Sequence, residues 1–167
     1  PAYPLIIDPT LVFEKHIHFG GDAFVEGWGL TTDGNHIYVT GEIYGNGEPA
    51  QINGYVMKLN TAGSLVYISV FGGTGVEYGL DIAVEESGDD LYLTGWTTSE
   101  NFPVQTAYQD TLGGGADAFM LRLAKADGQL LTGTYLGGGS SDYGYGIAVN
   151  SIGRPTVTGS TTSGDFP

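Results

Sequence analysis

The chain contains no cysteine and carries little positive charge. Without cysteine it forms neither disulfide bonds nor thiolate metal sites, and its redox compartment stays undecided. Only 5 Lys and Arg residues stand against 19 Asp and Glu residues, which gives a formal net charge of −14. A surface of this sign repels phosphate backbones, so we expect no binding to nucleic acid.

Long hydrophobic runs and helical patterns are also missing. No stretch of about 18 apolar residues occurs, so the sequence predicts no membrane span. Apolar and polar residues alternate with a period of two, whereas no segment has a stripe at the helical period of 3.6. The chain has 167 residues, of which 41% are hydrophobic, and this is enough for one domain with a core. The sequence therefore predicts an all-β fold.

Two short markers recur nearly three times along the chain, and they move together from one copy to the next. Such repeats, with a period near 50, are typical of solenoids, propellers and arrays. The first marker is Gly-Gly after Phe or Leu, and the second is a variant of Tyr-Val-Thr-Gly; they stand at 19–21, 71–73 and 136–138, and at 38–41, 92–95 and 156–159.

Each repeat unit is expected to contain four strands joined by tight turns. The units span approximately 11–63, 64–128 and 129–167, and together they form a single repeat region over 1–167. Their lengths differ mainly in one loop, which is long at 97–116. Antiparallel four-stranded units of this kind are typical of β-propeller blades. In the second unit the predicted strands lie at 65–71, 80–84, 91–96 and 117–124.

Several segments resemble the SBBP-type β-propeller repeats of bacteria and archaea. They are YPLIIDPTLVF (3–13), the FGG and LGG elements, GGGADAFMLRLAKADG (113–128) and the stretch from 140 to 167. The resemblance covers essentially the whole chain, but the first unit departs from it at 14–18. It implies a secreted or cell-surface repeat protein, and it implies neither a reaction nor catalytic residues.

Counting the expected strands indicates an incomplete ring. There are 11, namely an outermost strand at 11–19, two sets of four, and the first two strands of a third set. They make about two and three-quarter blades, whereas a closed propeller needs at least four blades, or about 16 strands. Three explanations stay open: a piece of a longer polypeptide, as the start at Pro1 also indicates; copies that complete one another by strand exchange; or an open stack of blades.

One face of such blades would collect acidic and aromatic side chains. If the strands run from inner to outer in order, the loops after the second and fourth strands share this face. Asp22, Glu77 and Asp142 are the candidate ligands there for a cation such as calcium. The alternative, which we favour, is that Gly and Asp are simply the residues that tight turns require. The candidate contact residues for a protein or a carbohydrate are Trp28, Trp96, Glu100, Asp110 and Asp117.

Two further candidate sites carry less weight. His16 and His18 alternate on the first predicted strand and can share a transition metal, but Ile68 and Val70 at the equivalent positions indicate packing. The segments 72–80 and 137–145 superficially match a calcium-binding nonapeptide. Because these two copies lie far apart in the sequence and that motif works in tandem, we expect no β-roll.

No catalytic motif is found, and no cofactor is expected. G-x-S-x-G is absent, and the adjacent Asp89 and Asp90 are expected in a turn, pointing to solvent. The leading interpretation is a non-catalytic extracellular or cell-surface scaffold or interaction module. Its expected partners are the rest of a longer chain, further copies of itself, a protein or a carbohydrate. The alternatives are a self-assembling structural protein and a carbohydrate- or calcium-binding module.

Overall fold

The computed structural model describes residues 23–44, 52–86 and 88–167. These residues form ten strands and no helix. The strands are β1 (Phe24–Thr32), β2 (His36–Tyr44), β3 (Ile52–Asn60), β4 (Leu65–Phe71), β5 (Glu77–Val84), β6 (Asp90–Thr97), β7 (Asp117–Ala124), β8 (Leu130–Leu136), β9 (Asp142–Val149) and β10 (Pro155–Thr161). The strand expected at 11–19 lies outside the described residues. No helix capable of crossing a bilayer is found in the described part of the chain.

The strands form three antiparallel sheets in which each strand pairs with the next along the chain. The sheets are β1-β2-β3-β4, β5-β6-β7-β8 and the two-stranded β9-β10. The all-β prediction is confirmed. The strands predicted at 65–71 and 117–124 coincide with β4 and β7, whereas the one predicted at 80–84 begins earlier, at Glu77. The described strands do not close into a ring.

The sheets are out of register with the sequence repeat by one strand. Residues 65–71 open the second repeat unit, but as β4 they pair with β3 of the first sheet. Residues 130–136 open the third unit, but as β8 they pair with β7 of the second sheet. The second repeat unit therefore supplies the last strand of the first sheet and the first three strands of its own sheet, and the third unit supplies the last strand of the second sheet and the two described strands of the third sheet.

Tight turns and bulges recur at equivalent positions. The turns after β1, β3, β7 and β9 each contain a glycine with positive φ, a conformation that residues with a Cβ rarely adopt. Between the first two strands of every sheet the register shifts by one residue. The extra residues are Trp28, Leu80 and Tyr145. The turn glycines are Gly34, Gly63, Gly128 and Gly153, with φ of 85°, 72°, 75° and 71°.

The core lies mainly between the first two sheets. β5 packs against β1, β2 and β3, and β9 packs in the same way against β5, β6 and β7. A smaller cluster of Tyr55, Met57 and Leu59 lies on the other face of the first sheet, as alternation along a strand requires. The main cluster consists of Tyr38, Val56, Phe71, Ile82, Val84, Leu91, Leu93, Phe102, Phe119, Leu121, Leu123 and Tyr135.

Candidate functional site

Two of the candidate cation ligands, Glu77 and Asp142, are fully buried. Each is the first residue of the first strand in its sheet, β5 or β9, and each directly follows a Gly-Gly loop (residues 72–76 or 137–141). The segments 97–101 and 161–165 begin with the last residue of β6 and of β10, respectively. We call them the Thr-Ser segments. The two carboxylates lie where a Gly-Gly loop meets a Thr-Ser segment.

The Glu77 carboxylate accepts hydrogen bonds from both sides. The Gly73 N–H of the Gly-Gly loop donates to Oε2 at 3.0 Å. From the Thr-Ser segment, the Thr97 hydroxyl donates to Oε1 at 2.7 Å, and the Ser99 hydroxyl donates to the same oxygen. Hydrogen bonds of this kind satisfy carboxylate oxygens that would otherwise be costly to bury. Glu77 therefore holds the two segments together.

The next three N–H groups of the same loop also end on side-chain oxygens. Together with the Gly73 N–H, four consecutive backbone donors of the loop are satisfied by side chains. The three further bonds run from Thr74 N to Asn101 Oδ1 (2.9 Å), from Gly75 N to Ser99 Oγ (2.7 Å) and from Val76 N to Thr98 Oγ1 (2.9 Å).

The third sheet repeats this network at the equivalent positions of the next repeat unit. The Ser163 hydroxyl also donates to Asp142 Oδ2 at 2.7 Å, much as the Ser99 hydroxyl donates to Glu77. The pattern of glycine and acid that superficially matches a calcium motif is thus explained by hydrogen bonds within the chain. The four loop donors are Gly138 N to Asp142 Oδ2 (2.7 Å), Gly139 N to Asp165 Oδ1 (2.8 Å), Ser140 N to Ser163 Oγ (3.0 Å) and Ser141 N to Thr162 Oγ1 (3.1 Å).

These bonds also set the charge state of Asp142. Burial acts to raise its pKa, but hydrogen bonds from Thr161, Gly138 and Ser163 outweigh burial and lower it. Asp142 is therefore ionised at neutral pH and engaged by donors. Among the described residues no group of three or more His, Cys, Asp or Glu side chains is placed to hold a metal ion. The candidates Asp22, His16 and His18 lie outside the described residues, and metal binding there stays a prediction.

The long loop between β6 and β7 is held at its base by Asp117. This side chain is buried and accepts hydrogen bonds from Gln109 Nε2 (2.9 Å), Gly113 N (2.8 Å) and Gly114 N (3.2 Å). Burial raises the pKa of Asp117, against the opposing effect of these donors. Of the candidate contact residues on this loop, Asp117 thus anchors the backbone, whereas Glu100 and Asp110 are exposed.

The tryptophans singled out from the sequence lie on strands rather than in loops. Trp96 on β6 stacks on Tyr78, with ring centroids 4.6 Å apart, and meets Tyr143 edge to face at 5.5 Å. Tyr143 in turn lies parallel to Tyr145 at 6.3 Å. We call Tyr78, Trp96, Tyr143 and Tyr145 the aromatic strip. Sequence reasoning missed its tyrosines, although Tyr78 and Tyr143 occupy the same position in successive repeat units.

Trp28 lies on β1, with more than half of its surface exposed. Its indole Nε1 donates to Glu42 Oε2 at 2.9 Å. Burial raises the pKa of Glu42, while this hydrogen bond opposes the rise. Trp28 therefore presents the rest of its ring to solvent from a fixed position.

The expectation that Asp89 and Asp90 both point to solvent is wrong for Asp90. Asp90 is buried, and its Oδ2 accepts a hydrogen bond from Arg122 Nε at 2.6 Å. The guanidinium also approaches this oxygen as an ion pair. Asp90 thus links β6 to β7 and does not point to solvent.

No family model matches this chain, and no curated protein matches it.

β10 is the most exposed strand of the third sheet. Among the described strands β10 pairs only with β9, and a cavity of about 360 Å³ lies beside it. Its apolar walls include Leu136, Val157 and Phe166. Phe166 is 45% exposed and Tyr108, also at the cavity, is 77% exposed. Neither aromatic residue is singled out by sequence reasoning, because nothing local distinguishes them from Phe102, which is buried.

Proposed function

We propose that the chain is a non-catalytic scaffold or interaction module built of β-propeller-type blades. The observation that carries this proposal is the hydrogen-bond network at Glu77, which recurs at Asp142. It uses the acidic residues of both loop regions to fix the backbone. A network repeated from one sheet to the next is what an array of equivalent blades needs, and in this proposal the two carboxylates act as structural hydrogen-bond acceptors.

The arrangement of the sheets supports the propeller part of the proposal. Each complete sheet is a meander of four strands, the form of a propeller blade. The first strands β1, β5 and β9 lie against their neighbours, as the inner strands of successive blades do. The resemblance to SBBP-type repeats and the strongly acidic composition support an extracellular or cell-surface location.

The proposed mechanism is rigid display of exposed side chains. The base of the long loop is fixed by Asp117, while Glu100, Tyr108 and Asp110 on the same loop are exposed. Binding residues are often carried by loops on a rigid scaffold. A loop that is already ordered loses less conformational freedom on binding a partner.

Hydrogen exchange tests the rigid scaffold directly. We expect the amides of residues 73–76 and 138–141 to exchange as slowly as strand amides, although they lie in loops. Replacing Glu77 with Gln should speed exchange at 73–76 and leave 138–141 unchanged. The exposed Glu100→Gln is the matched control and should change neither loop. Fast exchange of both loops in the unaltered protein would remove the basis of the proposal.

An enzymatic role predicts a different result for the same variant. If the protein turned over a substrate, and Glu77→Gln abolished turnover while melting temperature and exchange at 73–76 stayed unchanged, Glu77 would be catalytic. The scaffold proposal expects stability and exchange to change together in this variant. Circular dichroism melting curves recorded beside the exchange data separate the two cases.

Carbohydrate binding is a second candidate, favoured by the aromatic strip. Its rings are partly exposed, and Tyr145 is 54% exposed. Aromatic faces next to carboxylates and hydroxyls are suited to sugar rings, and a bound ligand raises the melting temperature by linkage. Oligosaccharides should therefore raise the melting temperature and quench Trp96 fluorescence. Tyr145→Ala should abolish both effects and Tyr108→Ala neither; no shift with any sugar would exclude this candidate.

Assembly of several copies is a third candidate, favoured by the edge of β10 that pairs with no other described strand. Unpaired strand edges accept strands from other chains. This candidate predicts a mass several times 17.5 kDa in light scattering, and a monomer at all concentrations would exclude it.

A further inference from the structure

Two acidic side chains lie directly opposite each other on the first sheet, and no described cation pairs with them. They are Glu26 of β1 and Glu42 of β2, which we call the acid pair. We propose that the acid pair, together with the aromatic rings around it, binds a ligand that carries an alkylammonium group. The inference goes beyond the proposed function, because it concerns the ligand of one site and does not require a closed propeller.

The acid pair lies where two described sheets meet. Side chains alternate along a strand, so Glu42 lies on the same face of β2 as Tyr38, which belongs to the core between the first two sheets. β5 of the second sheet packs against both β1 and β2. The site is thus formed by two sheets that are both present, and not by the edge of an incomplete one.

Two like charges in this arrangement are costly for folding. Residues directly opposite each other in an antiparallel pair have Cβ atoms about 4.5–5.5 Å apart, and like charges there destabilise the sheet. Glu42 is only 6% exposed. Burial raises its pKa, and the charge of Glu26 adds to this rise. The acid pair is therefore unfavourable unless a positive charge joins it.

No described side chain supplies that positive charge. The Glu42 carboxylate accepts a hydrogen bond from the Trp28 indole at Oε2 (2.9 Å), whereas Oε1 accepts none from a described residue. Neither acid forms an ion pair with a described Lys or Arg. Three of the described cations donate elsewhere and the fourth lies in the β9–β10 turn: Lys58 to the Lys125 carbonyl, Lys125 to the Gly88 carbonyl, Arg122 to Asp90, and Arg154 in that turn.

Aromatic rings flank the acid pair. Phe24 and Tyr44 form the next cross-strand pair on the same face, and their rings stack with centroids 5.3 Å apart. From the second sheet comes Tyr78, which stacks on Trp96. Burial raises the pKa of Tyr78, and the charges of the acid pair raise it further, so its hydroxyl lies near them. Cations bind favourably over aromatic faces.

The repeat shows that this fold does not require acids at these positions. The equivalent cross-strand pair is Tyr78 and Trp96 in the second sheet, and Tyr143 and Ser160 in the third. Neither of these pairs carries a carboxylate. Among the described sheets the acid pair is therefore particular to the first. Such a departure from the repeat is expected of residues that bind a ligand, and not of residues that every sheet needs for folding.

An alkylammonium group suits the site better than a metal ion or a neutral sugar does. Calcium takes 6–8 oxygen ligands, and no group of three or more metal-binding side chains is found among the described residues. A neutral sugar would leave both charges uncompensated. An ammonium group supplies the charge and three hydrogen-bond donors, and its alkyl chain packs on the rings. Either a free amine or the lysine side chain of a partner protein presents this group.

Binding of 1,5-diaminopentane to the whole 167-residue protein tests the site. At constant ionic strength we expect saturable binding with a Kd of about 1 mM or below by calorimetry. 1,5-Pentanediol has the same chain length without the charge and should not bind. A short peptide with one lysine distinguishes the sources: a peptide that binds more tightly than the diamine indicates a partner protein, and the reverse indicates a free amine. No saturable binding of either would overturn the inference.

Neutral variants of the acid pair separate a binding role from a structural one. Glu26→Gln and Glu42→Gln each remove one charge, and Gln at 42 keeps an oxygen that accepts from Trp28. Each should weaken diamine binding by about 5-fold or more. The free protein should melt at an equal or higher temperature, because the repulsion is relieved. The exposed Glu100→Gln is the matched control and should change neither quantity. Unchanged binding, or a lower melting temperature in both variants, would contradict the proposal.

The aromatic residues locate the bound ligand. Trp28 and Trp96 are the two tryptophans of the chain, so in the variant Trp96→Phe only Trp28 emits, and the diamine should change its fluorescence. Tyr78→Leu should weaken binding by about 2-fold or more. Tyr145→Leu, at the far end of the aromatic strip, is the control and should leave binding unchanged. Binding that leaves Trp28 emission and the Tyr78 variant unaffected lies elsewhere and would refute the site.

Further measurements identify other occupants. Lys15 is the one Lys or Arg outside the described residues. If Lys15→Gln lowers the melting temperature and tightens diamine binding about 10-fold, the lysine of the chain itself occupies the site and the inference is wrong. If calcium raises the melting temperature more than the diamine does, and Glu26→Gln abolishes this effect, the site binds a metal ion instead. Exchange at the amides 73–76 tests the scaffold proposal independently, since these amides contact the Glu77 network.

Discussion

The second and third sheets begin alike and end differently. Both have the bulge, the buried acid at the start of the first strand and the Gly-Gly loop bound to a Thr-Ser segment. Of these two described sheets, only the second has a third and a fourth strand. Phe102 after β6 is 2% exposed, whereas Phe166, its equivalent after β10, is 45% exposed. Loop hydrogen bonding therefore needs only two strands, whereas burial of the aromatic residue needs the third.

The test with the largest expected effect replaces each of the two equivalent phenylalanines with alanine in a separate variant. Phe102→Ala should lower the free energy of unfolding by about 3–5 kcal/mol, because it leaves a cavity among Phe71, Phe119 and Tyr135. Phe166→Ala should change it by less than about 0.5 kcal/mol, as is usual at exposed sites. Urea denaturation measures both. Similar losses would mean that Phe166 is buried in solution.

The two buried acids should behave alike, in contrast to the phenylalanines. Glu77→Gln places an NH₂ group opposite hydrogen-bond donors at either oxygen, and Asp142→Asn removes the charge from an Oδ2 that accepts from Gly138 N and Ser163 Oγ. Each change should lower the free energy of unfolding by about 1–3 kcal/mol, measured by urea denaturation. Glu100→Gln is the exposed control and should have no effect. A loss for Glu77→Gln alone would show that the network needs a complete sheet.

Three threonine hydroxyls at equivalent positions should contribute differently to the stability of the three sheets. Thr94→Val removes a buried hydrogen bond to the Phe119 carbonyl and should lower the free energy of unfolding by about 0.5–1.5 kcal/mol. Thr40→Val should have a similar effect in the first sheet. Thr158→Val should have almost none, since its hydroxyl is exposed and unpaired among the described residues. Thermal melts of the three variants provide the comparison.

The smallest expected effects are changes of the free energy of unfolding with pH, and they have opposite signs for Asp142 and Asp117. The pKa of Asp142 is lowered by folding, so its contribution to stability is present above the unfolded pKa of about 3.9 and is lost as pH falls through the folded value. The pKa of Asp117 is raised, so the folded state binds this proton more readily and its contribution improves as pH falls through that higher value.

Asn variants measured by urea denaturation from about pH 7 to about pH 3 distinguish these two acids. The stability difference between the unaltered protein and Asp142→Asn should shrink as pH falls. The corresponding difference for Asp117→Asn should shift in favour of the unaltered protein. Parallel pH profiles for both variants would contradict the opposite shifts of pKa.

Much of the fold could be predicted from the sequence, because strands and turns leave local patterns. Alternation of side chains predicts β4 and β7 to the residue, and the repeat markers predict the matching turns. The roles of Glu77 and Asp142 could not be predicted in this way. An acid in a glycine-rich loop has the same local sequence whether it binds a cation or accepts the loop's own N–H groups.

Other features could not be predicted because they depend on contacts between residues that are distant in sequence. Asp90 is buried because Arg122 lies on the neighbouring strand, and no turn rule contains that information. Phe102 and Phe166 share the local sequence Phe-Pro, yet Phe102 is buried against Phe119 of β7 whereas Phe166 is exposed. Local pattern therefore predicts elements, while the chemistry at the site depends on pairing across the sheet.

The one-strand offset between repeat units and sheets has a consequence for how the chain is divided. A cut in the turn before β4, at the boundary of the first two units, would leave the two fragments joined by the β3–β4 hydrogen bonds. Tandem duplication of a unit would likewise never create an independent domain, because the first strand of the new unit completes the sheet of its predecessor. In a protein of this design, each added unit therefore pairs its first strand with the sheet of the unit before it.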